Sequence, residues 1–274
     1  MTLVAEPVRP GLASPLREAG QGPDVLCLHA NASTSAQWRS LMAALAPGYH
    51  VMAPDAYDAG SGPHWPSDRR ITLHDEVDLL SPLFRNLASP AILVGHSYGG
   101  AVALIAARIW PEQVRALVLY EPTLFSLVDT HTPPPNDTDG IRRTVRDAGA
   151  ALDRGDRATA ARTFIDFWMG EGAWAATPPP RQENFMQAIV NVRRWAHALF
   201  TDRTALAEFR RLEIPVLYLT GERSPPDALA VARLLVPVLP QVTPVRFPGL
   251  GHMGPLSAPD LVNETICRFV ASLG

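Results

Sequence analysis

The sequence predicts an α/β fold, a mostly parallel, doubly wound sheet with a block of helices inserted into it. Three observations carry that expectation. Short aliphatic runs alternate with longer helical patterns through residue 121; the alternation resumes from residue 213; and residues 122–212 hold no convincing strand. Continuous apolar runs are what strands covered on both faces require, because neither face meets water.

In chain order, residues 1–15 are broken by three prolines and have no continuous apolar segment, so they read neither as a signal peptide nor as an anchor. Strands are expected at 25–28, 51–53, 91–94 and 116–120, with helical patterns at 36–45, 73–87 and 99–108 between them. Connections of that length suit parallel βαβ units. In the second half, 216–220 and 245–247 read as strands, and 227–235 and 261–273 as helices. Pro215 precedes the first of these strands, where a missing N–H is tolerated. Between the halves, the proline-rich residues 132–137 read as a loop. Helical patterns follow at 141–153, 157–169, 181–195 and 196–211, interrupted by Pro178, Pro179 and Pro180. The domain reading is therefore a core of residues 1–121 and 213–274, with a helical cap of residues 122–212 over the sheet's C-terminal edge.

Composition narrows the function. Of 274 residues, 47% are hydrophobic and 19% charged, the balance of a folded chain rather than a disordered one. The net charge of −3 and the lack of a basic run leave no electrostatic footprint for nucleic acid. No stretch has the length of a membrane span, and the default compartment is the cytoplasm. The two cysteines, Cys27 and Cys267, form no framework and read as buried, reduced thiols, with pairing between them left open. No H-E-x-x-H or similar spacing exists, so no catalytic metal is expected.

The chemistry is concentrated in a few short segments. Gly95-His96-Ser97-Tyr98-Gly99-Gly100 follows one apolar run and precedes the helical run from Ala101. That is the strand–turn–helix setting of a G-x-S-x-G nucleophile elbow, in which glycines admit the cramped turn that presents the serine. The helix N-terminus behind Ser97 favours developing negative charge. Gly249-Leu250-Gly251-His252 follows the last strand, and a histidine there has the pKa range a general base needs.

On these segments the chain resembles the α/β-hydrolase superfamily, from about Leu16 to the C-terminus. The resemblance implies a roughly eight-stranded sheet, a cap after the sixth strand, Ser97 as nucleophile and His252 as base. Leu28-His29-Ala30-Asn31-Ala32-Ser33 resembles the family's H-G-x oxyanion loop, with Ala30 in place of the usual glycine. By that likeness the N–H groups of Asn31 and Tyr98 face the oxyanion. The plainer reading of the loop is a strand-to-helix connection with Ser33 as N-cap. His29 and His96 read as turn-stabilising, and Asp55-Ala56-Tyr57-Asp58-Ala59-Gly60-Ser61-Gly62 resembles a structural loop of the family.

The acid departs from the common pattern. Members of the family often place it about three residues past a glycine after the seventh strand. Here that loop reads Gly221-Glu222-Arg223-Ser224-Pro225, with Ser224 where an Asp is expected. Haloalkane dehalogenases place the acid at the end of the sixth strand, where this chain has Glu121. Glu121 is the first choice, Glu222 the second and Asp227 the third. The nucleophile at position 97 is a serine, which speaks against a dehalogenase. The cap aromatics Phe164, Phe167, Trp168, Trp174, Phe185 and Trp195 read mainly as packing, with some facing an apolar pocket. The expected activity is cofactor-free hydrolysis of an ester, thioester, lactone or similar acyl bond in a small to medium hydrophobic substrate. The alternatives are perhydrolysis, haloperoxidation or C–C bond hydrolysis on the same residues, or a non-catalytic small-ligand receptor.

Overall fold

The computed structural model describes residues 16–274, so the proline-broken N-terminal stretch lies outside the described residues. Seven strands form one sheet: β1 (Leu16–Ala19), β2 (Asp24–Leu28), β3 (His50–Pro54), β4 (Ala91–His96), β5 (Val114–Tyr120), β6 (Val216–Gly221) and β7 (Val242–Phe247). Their order is β1-β3-β2-β4-β5-β6-β7, with β1 antiparallel to β3 and every other pair parallel. The edge strand β1 is absent from the sequence-based reading, because four half-buried residues give too short an alternation to detect. β7 begins three residues before its expected start because Pro244, tolerated on an edge strand, hides it.

Side chains of the central strands alternate between two cores. Leu26, Leu93, Leu117 and Leu119 enter one, while Val25, Cys27, Ile92, Val94, Ala116 and Val118 enter the other. The period of two explains why the strands are apolar throughout. Helices cover both faces: α1 (Arg39–Leu45) and, at the chain's end, Pro259–Ser272 close one core, while α2 (Leu73–Arg85) and α3 (Tyr98–Ile109) close the other. Residues 36–45 do not form a single helix. A 3-10 turn, Ser35–Trp38, precedes α1, capped by the Thr34 side chain rather than Ser33 and tied down where the Ser35 N–H donates to Asp55 Oδ1 (2.6 Å).

The sheet has seven strands among the described residues instead of the roughly eight that the resemblance implies, so the helical block and Glu121 follow the fifth strand here and not the sixth: between β5 and β6 lie α4 (Ser126–His131), α5 (Asp139–Asp153), α6 (Arg157–Met169), α7 (Ala173–Ala176), α8 (Pro179–Ala188) and α9 (Val192–Thr201). The expected helices 181–195 and 196–211 are cut differently. α8 starts on Pro179, which the first turn tolerates, and a 3-10 turn at Ile189–Asn191 buries Ile189 before α9 begins. Past α9, the Thr204 N–H donates to Asp202 Oδ1 (2.8 Å), a local turn that ends the helix. The remaining helices are α10 (Pro226–Leu235), α11 (Gly254–Ser257) and α12 (Pro259–Ser272). Cys27 and Cys267 are free thiols, and burial pushes the Cys27 thiol far up. No helix among the described residues is long and apolar enough to cross a membrane.

Candidate active site

Parallel strands end together, so the loops after β2, β4, β5, β6 and β7 meet at one edge of the sheet. Ser97 follows β4 with φ 55° and ψ −115°, a conformation that L-residues adopt only when their surroundings enforce it. The enforcement comes from β5 and beyond: the Ser97 N–H donates to Tyr120 O (2.9 Å), and Thr123 N–H donates to Ser97 O (3.3 Å). Two glycines make room. A Cβ on Gly95 would lie 2.5 Å from Gly99 O, and one on Gly99 would lie 2.3 Å from Leu28 O.

His252 lies between β7 and α11 and is buried. Ser97 Oγ donates to His252 Nε2 (2.9 Å), and His252 Nδ1 donates to Glu121 Oε2 (2.7 Å). Glu121 follows β5, is fully buried, and like Ser97 has a positive φ (44°). Its other oxygen, Oε1, accepts from the Gly221 N–H (2.6 Å) and from Ser224 Oγ (2.6 Å). A carboxylate accepts at both oxygens, and three donors replace the water that burial removes. Ser224, at the position where an Asp is expected, is therefore a hydrogen-bond partner of Glu121. Glu222 points elsewhere: it is exposed and accepts from the Gly249 N–H (3.0 Å), bracing the loop that carries His252. Asp227 also lies outside the relay, accepting from the Ile141 N–H (2.7 Å) at the start of α5. Neither the second nor the third choice of acid is joined to His252.

The turn histidines form a second network. His96 Nε2 donates to His252 O (2.8 Å), and Gln37 Nε2 donates to His96 Nδ1 (3.0 Å). Gln37 Oε1 in turn accepts from the Ala30 N–H (3.1 Å), linking the loop after β2 to the loop of His252. Burial, aided by His252 nearby, holds the His96 pKa well below 6.5, so the ring stays neutral and keeps one donor and one acceptor. His29 Nδ1 donates to Ala30 O (2.8 Å) while its Nε2 accepts from the Ala56 N–H (3.1 Å), and burial lowers its pKa too. The left-handed residue of this loop is Ala32 (φ 53°) rather than Ala30, which explains why position 30 does without glycine. The N–H groups of Asn31 and Tyr98 have no acceptor among the described residues. Asp55 accepts from the Ser35 and Ser61 N–H groups, holding the loop after β3.

Ser97 and His252 open into a cavity of about 600 Å³, its open mouth included. Its wall is supplied mainly by α5, α6, α8 and α9, among them Ile141, Phe164, Ile165, Phe185, Trp195 and Leu199. No lysine or arginine lines it among the described residues. Trp168 lies flat on the relay, its ring 4.0 Å from the His252 ring at 28°. Of the aromatics singled out from the sequence, Phe164, Trp168, Phe185 and Trp195 face this cavity, while Phe167 and Trp174 do not line it. Gln37 carries no signal in the sequence, whereas the spacing of Ser224 from Gly221 is one. Among the described residues, no cluster of three or more His, Cys, Asp or Glu could hold a metal ion.

Comparison with known proteins agrees with this architecture. The model of the alpha/beta hydrolase family matches residues 25–265. An epoxide hydrolase of Caballeronia sordidicola is 36% identical over 110 residues, covering 39% of this chain but only 33% of that protein's length. A 2-(acetamidomethylene)succinate hydrolase of Mesorhizobium japonicum is 28% identical over 93% of this chain and 90% of its own. Among solved structures, an alpha/beta hydrolase of Sphaerobacter thermophilus superposes with a TM-score of 0.73 at 24% identity, covering 93% of this chain and 95% of that one. At that identity the superposition speaks for the fold alone.

Proposed function

The chain belongs to the alpha/beta hydrolase family, and on that premise we propose that it is a serine hydrolase cleaving a neutral, largely apolar ester, thioester or lactone through Ser97, His252 and Glu121. One observation carries the reading: an unbroken line of hydrogen bonds from Glu121 through His252 ends on Ser97 at the foot of an apolar cavity. With Glu121 accepting at Nδ1, His252 Nε2 is left to receive the serine proton. Ser97 Oγ attacks the carbonyl carbon, its proton passes to Nε2, and the carbonyl electron pair moves onto oxygen. That oxyanion rests on the N–H groups of Asn31 and Tyr98. Collapse expels the alcohol or thiol, which takes the proton from Nε2. Water then repeats the sequence on the acyl-enzyme, releasing the acid and restoring Ser97.

Residues 122–212 act as a cap whose helices set the size and polarity of the substrate. The relative named for 2-(acetamidomethylene)succinate has a substrate bearing carboxylates. A wall without lysine or arginine offers such groups no counter-charge, which favours an uncharged substrate here.

The test is a panel of p-nitrophenyl esters of increasing chain length, with lactones and thioesters, assayed on the wild type and on Ser97→Ala. Turnover should fall by about 10⁶-fold in the variant, together with labelling by a serine-directed phosphonate. Labelling that survives in Ser97→Ala would place the nucleophile elsewhere. Binding of the panel without turnover by the wild type would make the protein a receptor.

A further inference from the structure

Gln37 bonds to none of Ser97, His252 or Glu121, yet its carboxamide joins two of the loops around them. It lies half-buried in the 3-10 turn Ser35–Trp38, and both ends of its side chain are used. Oε1 accepts from the Ala30 N–H (3.1 Å), and Nε2 donates to His96 Nδ1 (3.0 Å). Only one orientation of the amide allows both. Its donor makes His96 Nδ1 an acceptor, which leaves the ring proton on Nε2, and Nε2 donates to His252 O (2.8 Å). The backbone of His252 is therefore held through a proton that Gln37 keeps in place. Burial keeps His96 neutral, so no second proton competes.

The other end of the amide acts on the loop after β2. Ala30 is bonded at both backbone groups, its N–H to Gln37 and its C=O to His29 Nδ1 (2.8 Å). Across a trans peptide the Ala30 C=O and the Asn31 N–H point opposite ways, so the bond to His29 turns the Asn31 N–H away from that ring. Asn31 lines the cavity together with Ser97. Gln37 fixes the peptide just before Ala30, and with it the course of the loop into Asn31. A methionine would fill about the same space with neither bond, so packing alone does not account for the amide. We infer that Gln37 is a positioning residue for the proposed acyl transfer: it sets the loop of Asn31 and the loop of His252 against each other, touching Ala30 directly and reaching His252 through the Nε2–H form of His96. The inference rests on the serine hydrolase reading for its effect on turnover, whereas the place of the His96 proton is measured without turnover.

The experiment compares wild type, Gln37→Glu and Gln37→Met. Glutamate keeps the shape and the acceptor for Ala30 but offers His96 Nδ1 no proton. Nδ1 should therefore be protonated in Gln37→Glu and bare in the wild type, which NMR of ¹⁵N-histidine-labelled protein at neutral pH reads from the ring nitrogen shifts of His96. On p-nitrophenyl butyrate and hexanoate, kcat should fall by about thirtyfold in Gln37→Met, the scale of two neutral hydrogen bonds. KM should change by less than about threefold, because the two loops meet the developing charge while the helices bind the substrate. Gln37→Glu, which loses one bond of the two, should lose about fivefold in kcat and serves alone if Gln37→Met does not fold. A bare Nδ1 in Gln37→Glu, or a protonated one in the wild type, overturns the inference. So does an unchanged kcat in the variants, or a loss carried by KM alone. If the wild type turns over neither ester, the hydrolase reading fails, and the His96 shifts then decide by themselves whether Gln37 holds that proton in place.

Discussion

The two sides of the cavity are built by different physics. On the sheet side, Ser97, His252 and Glu121 are bonded atom to atom, and their loops are pinned by Tyr120, Thr123, Gly221, Ser224 and His96. On the helical side, α5 to α9 donate no hydrogen bond to any of the three among the described residues; Trp168 of α6 meets His252 through its ring face. Strand ends tied together by such bonds suit groups that must aim. Helices packed through aromatic and aliphatic surface suit a wall that needs only shape. The lesson is a division of labour in which direction comes from the sheet and fit comes from the helices.

If that division holds, the largest losses come from the sheet side. Glu121→Gln keeps the shape of the side chain and, on the proposed mechanism, removes the charge that would steady the imidazolium, so turnover should fall by about 10⁴-fold. A loss below tenfold would detach Glu121 from the chemistry.

The second effect probes the sheet side for a weakness. Glu76 of α2 is 4% exposed and lies behind the elbow, accepting from Tyr98 OH (3.1 Å) and the Tyr57 N–H (3.3 Å). Burial pushes its pKa up from 4.5 to about 7. Below pH 4.5 the carboxyl is neutral in both folded and unfolded chains. Between 4.5 and 7 the unfolded chain has released a proton that the folded chain still holds, so stability falls as pH rises through that window, by about 3 kcal/mol in all, and is level above it. Urea unfolding of Glu76→Gln and wild type across this range should therefore diverge as pH rises. Parallel curves would mean that Glu76 does not titrate there.

On the helical side, Trp168→Ala should reduce kcat by about tenfold, the scale of an aromatic face against an imidazolium, and Trp168→Phe by less than about threefold. Equal losses in both would show that the indole acts by something other than its face. The smallest effect belongs to Glu222→Gln, which keeps an acceptor for Gly249 and should change turnover by less than about threefold. A collapse there would move the acid from β5 to β6.

The same division explains what the chain disclosed before its structure was known. The elbow is legible because Gly95 and Gly99 sit where no other side chain fits, and His252 because it follows a strand in a glycine-rich turn. The central strands are legible because both of their faces are buried. The helical block was less so: its breaks at Ile189–Asn191 and after Thr201 follow from how side chains pack in three dimensions, and no proline or glycine marks them. Which aromatics face the cavity also depends on tertiary packing, since Phe167 and Trp168 are adjacent in sequence and only Trp168 meets the relay. Gln37 carries no local signature at all, because its two partners, Ala30 and His96, belong to different strand ends.

The contact between Ser224 and Glu121 has a consequence for descent. Oγ of one and Oε1 of the other are 2.6 Å apart, so two chain positions, 103 residues apart, converge on a single spot beside His252. On the proposed mechanism, a carboxylate carried at position 224 would lie near the spot that Glu121 occupies, so its address in the chain matters less than its coordinates in space. Lineages that exchange one address for the other must pass through an intermediate with either two acids crowded into that spot, sharing a proton, or none. The crowded intermediate would keep a negative charge in that spot, whereas the empty one would have none.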